Sequence, residues 1–421
     1  MSEENNVPAI RFKGFSGEWK SSELGKLLDI TSAARVHKNE WTNVGVPFFR
    51  TSDVVSLYKG KENKKAYISL ELYKELSARS GSVKKDDLLI TGGGSIGIPY
   101  LIKTSDPIYF KDADLLWLKN TTDTNGYLLF TFFSSPPFRK YINSITHIGT
   151  ISHYTIEQAK TTPIYVPEES EEQTKIGNYF QQLDTLIAQH QQKHDKLLNL
   201  KKALLEKMFP KQGATVPEIR FNGFSGEWEG IALREFVSNI SDGDWIESNH
   251  IFEQGKYRII QTGNLGVNGE YIDKENNAKY FHQKDFDEIR ANEIFPNDIL
   301  ISRLAEPAGR TIILPNTGFR MVTAVDVTVI RPDDGFNSTF LKTQLNTTIV
   351  LLKVSENVSG TSHKRISRSN LEKTKILAPN LDEQTKIGKL FKQLDTLLTQ
   401  HQAQLKKLNH IKQACLEKMF V

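Results

Sequence analysis

A single cysteine, Cys415, stands among 421 residues. It excludes an intramolecular disulfide and a Cys-rich zinc site and fits a reducing compartment. Long apolar runs are missing too, so nothing in the chain is long enough to cross a bilayer. The opening Met1-Ser-Glu-Glu4 has neither the basic n-region nor the apolar h-region of a secretory signal. A cytoplasmic protein without a membrane partner is expected. Zinc-ligand spacing, a His-Glu-x-x-His helix and a nucleophile–base constellation are all absent, and the ten histidines are scattered. No catalytic residue, metal ligand or bound cofactor is therefore assigned. The charge is nearly balanced, 54 basic against 50 acidic side chains for a net +4, so any nucleic-acid binding must come from clustering.

What is present is a duplication. Pro8-Ala-Ile-Arg-Phe-Lys-Gly-Phe-Ser-Gly-Glu-Trp19 returns as Pro217-Glu-Ile-Arg-Phe-Asn-Gly-Phe-Ser-Gly-Glu-Trp228. Glu172-Gln-Thr-Lys-Ile-Gly177 through Leu205-Glu-Lys-Met-Phe209 returns without a gap as Glu383-Gln-Thr-Lys-Ile-Gly388 through Leu416-Glu-Lys-Met-Phe420. Between these frames the copies diverge, keeping only local matches such as Asp87-Leu-Leu-Ile90 with Asp298-Ile-Leu-Ile301 and Gly149-Thr150 with Gly360-Thr361. Constant frames point to one partner met twice; diverged interiors point to two different things read, with drift after duplication as the bland alternative.

The second frame carries a seam with steps of four and three. In the first copy it runs Ile176, Phe180, Leu183, Ile187, His190, His194, Leu197, Lys201, Leu204 and Met208. In the second it runs Ile387, Phe391, Leu394, Leu398, His401, Leu405, Leu408, Lys412, Cys415 and Met419. This is the 3.5-residue coiled-coil period, with helices roughly 50 Å long. The short linker Pro210–Val216 cannot return along such a rod at about 3.5 Å per residue, so the helices are expected to pair antiparallel. Full overlap would set His194 against His401, His190 against Leu405 and Cys415 against Phe180. The seam histidines are read as register-setting, the lysines as apolar stems with heads in water, and Cys415 as a small buried group.

The fold class expected is α+β: two pseudo-repeated, mixed, β-rich domains separated by a long antiparallel two-helix coiled coil. The boundaries are 1–170, a helix over 171–209, a linker over 210–216, a second domain over 217–381 and a helix over 382–421. Strands are expected at Val46–Phe49, Leu88–Thr91, Tyr257–Ile260, Thr311–Leu314 and Val325–Ile330, and helices at Tyr127–Phe133 and Thr339–Val354.

Two motifs tempt a catalytic reading. Gly92-x-Gly94-x-x-Gly97 has dinucleotide-loop spacing, but Pro99 and the β-like Ile98–Ile102 follow it, and the second copy, Arg303–Gly309, lacks the glycines, so a flexible surface loop is expected. Ser135-Pro-Pro-Phe138 is similar to the catalytic motif of amino-group DNA methyltransferases. It follows an apolar, helical stretch, and Thr347-Thr-Ile-Val350 replaces it in the second copy, so a turn after a helix is expected. Basic clusters are the more congenial signal. Arg139, Lys140, His147, His153 and Tyr154 are the DNA-contact candidates of the first domain. Arg303, Arg310, Lys364, Arg365 and Arg368 are those of the second, with His363 beside them.

The repeated Pro-x-Ile-Arg-Phe-x-Gly-Phe-x-Gly-x-Trp opening, the diverged domain, and Glu-Gln-x-Lys-Ile-Gly leading into a Leu-rich helix together resemble the Type I restriction specificity subunit family. Arg50-Thr-Ser-Asp53 and Gln261-Thr-Gly-Asn264 add to the resemblance, while Ile151-Ser-His-Tyr154 departs from the basic pattern usual after Gly-Thr. The resemblance implies two target-recognition domains, each reading half of an interrupted site in double-stranded DNA. It implies a helical spacer that docks two modification subunits, which bind S-adenosylmethionine and methylate adenine at N6. Two motor-nuclease restriction subunits using ATP and Mg would complete the complex, and this chain would be non-catalytic. The competing readings are a single-chain adenine-N6 methyltransferase, told apart by S-adenosylmethionine binding, and a coiled-coil scaffold with protein-binding heads, told apart by absent salt-dependent DNA affinity.

Overall fold

The computed structural model describes residues 6–111, 114–146, 153–304, 306–360 and 364–421. The chain divides into two compact units, Met1–Gln191 with Ala403–Val421, and Gln192–Gln402. The long helices Ser170–Lys207 and Leu381–Met419 each contribute one part to each unit.

In the first unit, a four-stranded antiparallel sheet orders Leu28–Thr31, Leu115–Asn120, Leu88–Thr91 and Pro99–Leu101. A second sheet orders Trp41–Thr42, Ala66–Ile68, Val46–Phe49 and Tyr109–Phe110, the last strand parallel to its neighbour. The runs Leu88–Thr91 and Leu115–Leu118 are buried throughout, because one face meets helices and the other meets the second sheet's core. The second unit repeats the plan. Ile240–Asp242, Val327–Ile330, Ile299–Ser302 and Thr311–Ile313 form one sheet. Lys279–Phe281, Tyr257–Ile260, Arg320–Thr323 and Glu293–Ile294 form the other. The helix expected over Thr339–Val354 is two helices, Ser338–Leu345 and Thr348–Glu356. Asn346 breaks it by turning its side chain to the backbone of Thr311 (3.1 and 2.7 Å).

The repeated frames are explained residue by residue. Arg11 grips the buried Glu172 at the start of the first long helix through two bonds of 2.6 and 2.7 Å, and its third nitrogen reaches the Gly17 carbonyl. Arg220, Glu383 and Gly226 repeat the arrangement. Trp19 packs edge-on against Phe420 at 6.1 Å, as Trp228 does against Phe209 at 5.8 Å. Gly177 and Gly388 sit inside helices because Asn125 and Asn337 cap neighbouring helices there: a Cβ would come within 2.0 and 2.1 Å of the capping oxygens.

Within each unit the two helix segments pack along the apolar seam positions. In the first, Ile176, Phe180, Leu183 and Ile187 on one helix and Leu405, Leu408, Cys415 and Met419 on the other are buried or half-buried. In the second, the same holds for Leu197, Leu204 and Met208 with Ile387, Phe391, Leu394 and Leu398. The paired segments run antiparallel in both: Phe180 meets Phe420 while Asp184 meets Lys412, and Lys201 meets Asp395 while Phe209 meets Phe391. Two details differ from expectation. Cys415 lies 3.7 Å from the Tyr179 hydroxyl, one position from Phe180, and burial together with this contact pushes Tyr179 up to about 12. The seam lysines do not end in water: Lys412 pairs with Asp184 (2.6 Å) and Lys201 with Asp395 (2.7 Å), a reciprocal exchange created by the duplication.

Candidate nucleic-acid interface

The candidates in the first unit separate by burial. Lys140 and His153 are exposed, and Arg139 is half-buried with its guanidinium 5.5 Å from the Phe138 ring. Tyr154 is withdrawn from any direct contact. It is 1% exposed, packs on Phe138 at 6.0 Å and shares a 2.6 Å hydrogen bond with Thr162. His147, with Gly149 and Thr150, lies outside the described residues.

In the second unit, three arginines gather around the strand Ile240–Asp242. Arg303 reaches Asp242 at 3.1 Å, Arg365 reaches Asp326 at 2.9 Å, and Arg368 reaches Glu372 at 2.6 Å and the Ile240 carbonyl at 3.0 Å. Arg303 is 5% exposed, and burial lowers its pKa, so it organises the cluster from beneath and does not present a guanidinium to a ligand. Arg310 stands apart, bonded at 3.3 Å to the Thr262 carbonyl. Lys364 is exposed; Thr361 and His363 lie outside the described residues.

Both tempting motifs serve as connections between elements. Gly92–Gly97 is a hairpin turn joining Leu88–Thr91 to Pro99–Leu101, closed by bonds from the Gly97 and Ile98 amides to Thr91 (2.8 and 2.9 Å), with Gly94 and Ser95 exposed at its tip. Ser135-Pro-Pro-Phe138 follows the helix Gly126–Phe132 through a turn, closed by the Ser134 and Ser135 amides on Thr131 and Phe132 (both 2.9 Å), and its prolines then open a second helix, Pro136–Thr146, since proline suits a first turn. Phe138, the ring that would stack on a flipped base, is 1% exposed and sits 4.8 Å from Phe133. Among the described residues, His250, Asp285 and Glu288 bring three oxygen or nitrogen atoms within 4.8 Å of one another, and His250 and Asp285 already satisfy each other at 2.7 Å.

Two features were not anticipated. Strand register sets Ile30 and Ile240 opposite the equivalent Leu118 and Ile330, and the 3-10 turns Lys38–Glu40 and Ser248–His250 match at the same offset. Arg35 and Trp245 are therefore equivalent positions, and both are exposed, Trp245 by 70%. The other feature is the lysine-rich loop following the helix Thr51–Tyr58. Arg50-Thr-Ser-Asp53 pins it: Asp53 accepts from Arg50 (2.7 and 2.9 Å) and Asn63 (2.8 Å), and Arg50 also donates to the Lys64 carbonyl. Gln261–Asn264 does the same in the second unit, where Asn264 accepts from the Gln261 amide (2.9 Å) and donates to the Ile272 carbonyl (2.9 Å).

The family described as Type I restriction modification DNA specificity domain matches the chain twice, over residues 16–199 and 225–410. The chain belongs to this family. Each match takes in one diverged domain and most of one long helix, so the duplication seen in the sequence is a duplication of the specificity domain. A Haemophilus influenzae protein bearing the name of a type I restriction enzyme specificity subunit is 30% identical over 170 residues, which span 40% of this chain and 40% of that protein. The crystal structure of a Type I restriction-modification S subunit from M. genitalium superposes with a TM-score of 0.65 at 16% identity, covering 99% of both chains. At that identity the likeness concerns the fold alone. No helix of the described residues is long and apolar enough to cross a membrane.

Proposed function

We propose that this chain is the DNA-reading subunit of a Type I restriction-modification complex, each unit reading one half of an interrupted double-stranded target. The observation that carries this is the pairing of identical clamps with unlike loops. Arg11–Glu172 and Arg220–Glu383 hold the two heads onto their helices in the same way, while the surface positions they present, Arg35 against Trp245, differ. The paired helices set the tolerated gap, on the scale of one DNA turn, roughly 34 Å, and dock two modification subunits. Methyl transfer to adenine N6 from S-adenosylmethionine belongs to those subunits, and ATP- and Mg-dependent cleavage to two restriction subunits. The fully packed Phe138 supports placing the chemistry outside this chain.

The test is a chimera in which the loops of one unit are replaced by those of another specificity subunit, with the clamps retained. Methylome sequencing is expected to show one half-site changed and the other kept. Change in both halves, or in neither, overturns the proposal, as would methyl transfer by the purified chain alone.

A further inference from the structure

Lys59, Lys61, Lys64 and Lys65 lie in the loop joining the helix Thr51–Tyr58 to the strand Ala66–Ile68, and every residue from Leu57 to Lys65 is exposed. Against them stands Glu62 alone, a net +3 over Lys59–Lys65. Among the described residues, none of the four ammonium groups is ion-paired. Like charges held within a screening length of about 8 Å repel one another, and an anion spread along a line relieves that repulsion.

The loop is built rather than loose. Gly60, at φ +63, ends the helix in the left-handed conformation that other residues adopt only with strain. The Lys61 amide returns to the Ser56 carbonyl (2.8 Å) and the Gly60 amide to Leu57 (3.1 Å), the paired bonds of a Schellman cap. The far end is fixed by Asn63 on Asp53 and by Arg50 on the Lys64 carbonyl. A loop pinned at both ends loses little further freedom when it meets a ligand.

The second unit makes the contrast. Its equivalent pin, Asn264, holds a loop over Leu265–Ala278 whose own residues Glu270, Asp273 and Glu275 outnumber Lys274, a net −2, with Asp273 paired to Arg258 from the neighbouring strand. The same device carries opposite charge in the two copies.

We infer that the loop Tyr58–Lys65 is a phosphate-backbone grip of the first unit, in which Lys59, Lys61, Lys64 and Lys65 neutralise consecutive DNA phosphates, and that the second unit has no counterpart. The inference rests on the DNA-binding reading above and adds an asymmetry to it: the electrostatic share of affinity is concentrated in one head.

Neutralising a phosphate releases counterions, so the slope of log affinity against log salt steepens by about 0.9 per contact. The experiment measures binding of the full-length chain to a fluorescent duplex of mixed sequence by anisotropy, between about 50 and 200 mM salt. In the variant K59Q/K61Q/K64Q/K65Q the slope is expected to lose about 3.6 of its magnitude. The variant K74Q/K84Q/K85Q/K103Q removes the same charge from exposed lysines elsewhere on the unit and is expected to keep the parent slope. An unchanged slope in the first variant, or an equal loss in both, overturns the inference while leaving DNA binding intact. A parent chain whose binding shows no salt dependence overturns the DNA reading itself.

Discussion

Arg220 holds Glu383 by two parallel hydrogen bonds of 2.7 Å, one from Nε and one from a terminal nitrogen, and the carboxylate is buried completely. The pair joins the second repeated opening segment to the first turn of the second long helix, 163 residues away in sequence. Removing one member of a buried pair strands the other, which costs far more than the pair's net contribution.

Glu383→Ala is therefore expected to destabilise the protein by about 3 kcal/mol, read from the shift of the urea unfolding midpoint. Arg220→Lys keeps the charge and loses the two-pronged geometry, so its effect should fall between the parent and Glu383→Ala. Parent-like stability of Glu383→Ala would show that the clamp does not hold the helix start.

Asp395 receives Lys201 at 2.7 Å and Lys342 at 2.6 Å. Burial alone would raise its pKa, but the two ammonium groups outweigh that and hold it below the usual carboxylate range. A depressed folded pKa contributes stability that is complete above the unfolded value of about 3.9 and is lost as pH falls through the folded value. Asp395→Asn should cost about 2 kcal/mol at neutral pH, and it should flatten the loss of stability on acidification below about pH 4. Parallel acid limbs in the two proteins would contradict this assignment.

Gly388→Ala places a methyl group 2.1 Å from the Asn337 cap oxygen. Alanine favours a helix over glycine by about 1 kcal/mol, so destabilisation here would report the clash and not propensity. Combining it with Asn337→Ala should recover more than about 1 kcal/mol relative to the sum of the single changes, whereas strict additivity would mean that the two residues do not meet.

Of the five tryptophans, Trp19, Trp117 and Trp228 are buried and Trp41 is half-buried, whereas Trp245 is 70% exposed. Acrylamide quenching of the full chain should therefore report mainly Trp245. If that residue sits on the DNA-reading face, cognate duplex will protect it, and Trp245→Phe will abolish the protected fraction. Unchanged quenching under saturating duplex would remove Trp245 from that face.

The frame was legible in the sequence because its physics is local or periodic. A 3.5-residue seam names its own buried side, and a duplicated motif announces a repeated contact even before Arg11 is seen on Glu172. The contact candidates were less legible, because composition does not report burial. Tyr154 and Arg303 belong to residue types that touch DNA, yet tertiary packing had already engaged both. The Lys59–Lys65 run is visible in the sequence, but its charge exists in only one copy, so matching places in the two copies do not bring it out. The helix break at Asn346 depends on a backbone partner at Thr311, 35 residues away, which no local pattern encodes.

Cys415 carries the chain's one thiol and lies half-buried beneath the Tyr179 hydroxyl, where the last turns of the second long helix meet the early turns of the first. Any alkylating reagent can therefore mark a single, known address. Its rate of uptake in the native protein measures how often those two helix ends part, so breathing of this junction can be timed without adding a probe.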